Sequence, residues 1–145
     1  MGLLSKMTKG VTPQKKATDD VLLLHGLMLM AGSDGVIEDA EWDVLKSYWF
    51  TLPEFKGKIF DDVLNEANKV VSRYGDLQES IKALSDIETE AVRKKLFVLA
   101  ADLAMSSGDV DENEDKLLET MQRLLNIDDA LATKTIEVLT IKYAL

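Results

Sequence analysis

The chain has 145 residues, no cysteine and a net charge of −9, and these properties exclude several classes of protein. A chain of this length normally forms one domain with a sizeable core. The lack of cysteine excludes disulfides, thiolate metal sites and thiol nucleophiles. Residues 1–16 carry four lysines and no acid, so the remaining residues have a net charge of −13 and should repel nucleic acids.

The chain is predicted to consist of a tail and one domain. Residues 1–16 should form a flexible basic tail, and residues 17–145 should form the helical domain. The apolar run Val21–Ala31 is too short to cross a membrane and contains His25, which indicates a buried core helix. We therefore expect no transmembrane segment and a cytoplasmic location, while peripheral contact of the tail with a membrane surface stays open.

The domain is predicted to be all-α, with about seven helices, because no segment alternates between apolar and polar residues at period two. Ser85 with Glu88, and Asp111 with Glu114, have the spacing of a capping box at a helix start. Gly75 is placed to end the third helix. The predicted helices cover residues 18–32, 38–50, 54–74, 76–84, 87–106, 111–125 and 127–142.

Part of the sequence occurs twice, with an offset of 73 residues that aligns Leu23 with Leu96 and Glu41 with Glu114. Helices 18–32 and 87–106 are the most apolar, and small residues such as Gly26 would let them approach closely. We therefore predict two helical units around an approximate two-fold axis, with these two helices in contact. The acidic loop that follows each helix should then lie in a related position.

The two loops resemble the second half of a calcium-binding EF-hand loop, but they lack its first half. When Gly35 is placed at loop position 6, positions 1 and 3 become Met30 and Gly32, which offer no side-chain oxygen. The second copy has Leu103 and Met105 at those positions. These two incomplete loops argue against an EF-hand, and the first half of each loop is predicted to be the end of a core helix.

The motif consists of a helix that ends in alanine, followed by Asp-Gly, an aliphatic residue, an acid and a later glutamate. This motif, repeated once, resembles the tellurite-resistance protein B (TerB-like) family. Two departures are Gly32 and Ser33, inserted after the alanine, and Ser107, where the family favours aspartate. The resemblance implies a seven-helix, non-enzymatic domain of stress or metal-resistance systems whose acidic loops are suspected of binding a divalent cation. The residues that carry it are Ala31, Asp34, Gly35, Ile37, Glu38 and Glu41, then Ala104, Gly108, Val110, Asp111 and Glu114.

Two functions remain open for the acidic loops. Crowded carboxylates form an all-oxygen ligand set, which suits Ca²⁺ or Mg²⁺. Acids in a first helical turn also act as caps and stabilise the helix dipole, so a solvated acidic surface that docks a basic partner protein is the alternative. A carboxylate hydrolase is the weakest hypothesis, and a homodimer stays open. The predicted ligands are Asp34, Glu38, Asp39, Glu41, Asp109, Asp111, Glu112 and Glu114.

Two further features of the sequence lead to predictions about packing. His25 should be buried and bonded to a carbonyl or carboxylate oxygen, because it lies in the most apolar helix. Trp42, Leu45 and Trp49 follow core spacing on the second helix, and the other aromatic residues of that helix could form a partner-binding patch.

Overall fold

The structure is a computed structural model that describes residues 16–33 and 37–145. Of the predicted basic tail only Lys16 is described, and Asp34 and Gly35 of the first acidic loop lie outside the described residues. The described part contains six α-helices, two 3₁₀ segments and no strand, so the all-α prediction is confirmed. The α-helices are α1 (Asp19–Ala31), α2 (Asp39–Thr51), α3 (Phe60–Tyr74), α4 (Glu90–Met105), α5 (Glu112–Leu124) and α6 (Asp129–Lys142).

The predicted start of helix 54–74 is wrong, because it lies too early in the chain. A 3₁₀ segment, Pro53–Phe55, is followed by Gly57 in the left-handed region, with φ of 76°, and the α-helix begins only at Phe60. That backbone conformation suits glycine and interrupts a right-handed helix. The end of the helix was predicted correctly, because Gly75 follows Tyr74 with φ of 88°.

The predicted helix 76–84 is instead a 3₁₀ segment, Glu79–Asp86. Local side chains favour the tighter winding, since Ser80 Oγ donates to the Leu77 carbonyl and Ser85 Oγ donates to the Lys82 carbonyl, each three residues earlier. Ser85 is therefore not the cap of the next helix, as the sequence suggested. The residue before α4 is Thr89.

Helices α1 and α4 form the parallel central pair, and the predicted contact between them is confirmed. At their N-terminal ends, the Asp19 carboxylate accepts hydrogen bonds of 3.0 and 3.1 Å from the backbone N–H groups of Glu88 and Thr89. Further along, Gly26 lies directly against the buried side chain of Leu96. The two-fold relation between the repeated units stays a prediction.

His25 lies in the core on α1, as predicted, with only 2% of its surface exposed. Its Nε2 donates to the Ser80 carbonyl oxygen at 3.1 Å. Burial lowers the pKa of His25 more than this hydrogen bond raises it, so the ring is neutral at pH 7. The bond fastens the second 3₁₀ segment to the central helix.

Asp102 forms a second polar link, which joins α4 to both α2 and the end of α6. The Tyr48 hydroxyl donates to Asp102 Oδ2, while Lys142 Nζ and the Tyr143 hydroxyl donate to Oδ1 at 2.7 and 2.5 Å. Burial raises the pKa of this carboxyl, but the three hydrogen bonds outweigh it and the net pKa is lowered. The group is therefore ionised and fully bonded inside a mainly apolar interface.

Within residues 16–33 and 37–145, every helix is too short or too polar to pass through a lipid bilayer.

Candidate functional site

Both acidic loops leave the same end of the central helix pair. Since α1 and α4 run parallel with their N-terminal ends together, the loops after Ala31 and Met105 both begin at the opposite end. Each loop leads into an acidic helix start, with Glu38 before α2 and Asp111 before α5. The fold therefore brings the described residues of the two motif copies to one pole of the domain.

The last glutamate of each motif points back to the start of its own helix. Glu114 Oε1 accepts from the Asp111 N–H at 3.2 Å, and Asp111 Oδ1 accepts from the Glu114 N–H at 2.7 Å. In the first copy, Glu41 Oε1 accepts from the Glu38 N–H at 3.0 Å. Glu41 and Glu114 are only 5% and 7% exposed, so these two predicted ligands stabilise helix starts.

The other described acids of the two motifs, Glu38, Asp39, Asp109, Asp111 and Glu112, are exposed. Glu112 forms an ion pair of 3.1 Å with Lys116, one turn further along α5. Across residues 16–33 and 37–145, no three histidine, aspartate or glutamate side chains lie close enough together to hold a metal ion. A cation site that includes Asp34 stays a prediction, because that residue lies outside the described part.

A groove between α5 and α6 forms a second acidic surface, which was not predicted from the sequence. The groove has a volume of about 600 Å³. Its apolar floor is made by Phe97 and by side chains such as Leu118 and Ile136. Its acidic lining residues come from both helices and are Asp115, Glu119, Asp129 and Glu137.

The negative charge of the carboxylates at the rim of this groove is largely uncompensated by nearby cations. Asp129 accepts a hydrogen bond of 2.9 Å from Gln122, but Asp115, Glu119 and Glu137 form no ion pair with any described residue. Ile136 also remains 39% exposed beside them. The acids on α5 and the apolar residues on α6 are visible in the sequence. That they line one groove depends on how the two helices pack.

Taken together, the fold and the site define a small all-helical domain with acid-capped helix starts at one pole. The family model described as Tellurite resistance protein TerB matches residues 20–135, and the chain belongs to this family. The resemblance found in the sequence is thereby confirmed. Comparisons with curated proteins and with solved structures give no match.

Proposed function

We propose that this TerB protein is a non-enzymatic binding module of a stress-response or tellurite-resistance system, and that it binds a basic, amphipathic segment of a partner protein. The observation that carries the proposal is the α5–α6 groove, in which an apolar floor is bordered by four carboxylates from two helices. Family membership supports the cellular setting, because the matched family is described by tellurite resistance.

The groove has the features that a helix-in-groove complex needs. An amphipathic helix would place its apolar face on Leu118 and Ile136, while its lysines or arginines would meet Glu119 and Glu137 at the rim. Rim charges act mainly on the association rate and on the choice of partner. The remaining negative charge of the domain would attract the same basic partner at longer range.

The probe for this proposal is a synthetic peptide of about 14 residues, with leucines and lysines at helical spacing. We expect saturable binding that weakens with salt, measured by fluorescence anisotropy. Neutralising the rim by Glu119→Gln with Glu137→Gln should weaken binding about tenfold, since two exposed ion pairs are each worth about 0.2–1 kcal/mol.

A matched control neutralises two exposed acids away from the groove, by Asp43→Asn with Glu88→Gln. Its net charge equals that of the groove variant, so binding should change less than about twofold. Equal losses in the two variants would show that the peptide responds only to net charge. A peptide with glutamates in place of the lysines should not bind.

The second candidate function is a divalent cation held at the pole of the two acidic loops. Its support is a cleft of about 590 Å³ beside the first loop, lined by Ser33 and by oxygen-bearing side chains such as Asp76 and Asn113. Carboxylate, amide and hydroxyl oxygens are the ligands that suit Ca²⁺ or Mg²⁺, and leucines such as Leu77 complete the lining. Asp34, Glu38 and Asp39 are the ligands we would expect first, because Glu41 caps its helix.

Thermal unfolding separates cation binding from general screening. Ca²⁺ at about 100 times its dissociation constant should raise the free energy of unfolding by about 2.7 kcal/mol, and sodium at equal ionic strength should not. Asp34→Asn with Glu38→Gln should remove that divalent effect. Asp61→Asn with Glu88→Gln is the control, since these two exposed acids lie outside both acidic loops. Calorimetry without saturable binding below about 1 mM would reject the cation site.

A further inference from the structure

A pocket separate from both acidic surfaces lies between α1, α2 and the start of α3. Its volume is about 330 Å³, at the lower end of the range typical of small-molecule sites. Leu24 and Leu45 are buried at its base, whereas Phe50 stands 82% exposed at its edge. The lining residues are Leu24, Met28, Trp42, Leu45, Lys46, Trp49, Phe50 and Phe60.

The aromatic wall of this pocket is held in place by its own ring contacts. Trp49 stacks on Phe55 with a centroid separation of 4.7 Å, and it meets the edge of Phe60 at 5.1 Å. Phe55 is itself buried. Trp49 is thus fixed from two sides, so the pocket exists before any ligand arrives and a ligand would not need to order it.

Lys46 is the one lining residue with a charged side chain. It is exposed, and it belongs to no ion pair among the residues that the structure describes. Asp43, one turn earlier on α2, does not line the pocket. A cation at the mouth of an otherwise apolar pocket complements a molecule with a hydrocarbon body and one negative charge.

We propose that this aromatic pocket binds a small amphiphilic carboxylate, with the hydrocarbon body among the rings and the carboxylate at Lys46. A neutral hydrocarbon would gain the same apolar burial but no charge pairing, and an alkyl cation would be repelled. The site is independent of the α5–α6 groove and of the acidic loops.

Tryptophan fluorescence of the full chain gives a direct test, because the chain has only two tryptophans and both line the pocket. Decanoate, added below its micelle concentration, should shift the emission to shorter wavelength with saturation. Decanol should bind more weakly, and decylammonium should bind weakest. Lys46→Gln should weaken decanoate binding about three- to fivefold, as expected for an exposed ion pair, and leave decanol binding unchanged.

Phe50→Ser removes one wall of the pocket, and its large exposure means that the fold should tolerate the change. We expect decanoate binding about tenfold weaker. Val138→Ser is the matched control, since Val138 is 62% exposed on α6, away from the pocket, and should leave binding unchanged. Unaltered melting curves would exclude unfolding as the cause.

Three results would overturn the proposal. The first is no saturable fluorescence change with decanoate below its micelle concentration. The second is equal binding of decanoate, decanol and decylammonium, since the charge at Lys46 would then play no part. The third is a spectral shift with phosphatidylcholine vesicles but not with free decanoate, which would make the pocket a membrane contact.

Discussion

Replacing Asp102 by alanine is expected to lower the free energy of unfolding by about 3 kcal/mol. The variant removes the acceptor of three hydrogen bonds. A hydrogen bond to a charged group contributes about 1.5–3 kcal/mol. The buried Tyr48 hydroxyl would keep only a long contact of 3.4 Å with the Leu99 carbonyl oxygen. Lys142 is half exposed and can be solvated, which limits the loss. The melting temperature should fall by about 10 °C.

The pH dependence distinguishes this network from simple packing. Because the folded pKa of Asp102 is lowered below the unfolded value of about 3.9, its stabilisation is complete above about pH 5 and is lost as the pH falls through the folded pKa. The denaturation curves of the native chain and Asp102→Ala should therefore converge in acid. Asp43→Asn, an exposed acid on α2, is the control and should change stability by less than about 0.5 kcal/mol.

A side chain at Gly26 should separate the central helices. An ideal Cβ there would lie 2.6 and 2.8 Å from the two methyl carbons of Leu96, a side chain that is itself fully buried. We expect Gly26→Val to cost about 3 kcal/mol, the upper end for overpacking, even after the gain in helix propensity over glycine. Denaturant unfolding followed by circular dichroism measures the loss.

Leu96→Ala provides the partner for a double-mutant cycle. Alone it should cost about 2–5 kcal/mol, because it leaves a cavity beside Gly26. The added valine can occupy that space, so the double variant should be more stable than the sum of the two losses by about 1–2 kcal/mol. Strictly additive losses would contradict direct packing of Gly26 on Leu96.

The sequence was sufficient to predict the two most apolar helices and to pair them. Apolar composition identified α1 and α4, and the duplication with Gly26 indicated that they touch. It did not predict the 3₁₀ winding of Glu79–Asp86, which depends on hydroxyl groups such as that of Ser80 and their bonds to nearby carbonyls. Helix type is decided there by local competition for hydrogen bonds.

The acidic site was predictable in composition but not in the direction of its side chains. Spacing placed Glu41 and Glu114 among the candidate ligands, yet both turn back onto their own helix starts and are buried. The Asp102 network was missed because its partners Tyr48 and Tyr143 lie 54 and 41 residues away. The only hint in the sequence was one acid within an apolar helix.

The position of the Asp102 partners also bears on where the domain ends. The family match stops at residue 135, while Lys142 and Tyr143 lie beyond it. A shortened chain that ended at residue 135 would keep every matched residue. It would nevertheless lack two of the hydrogen-bond donors to the Asp102 carboxylate. The matched range and the hydrogen-bond network of Asp102 therefore end at different positions, about two helical turns apart.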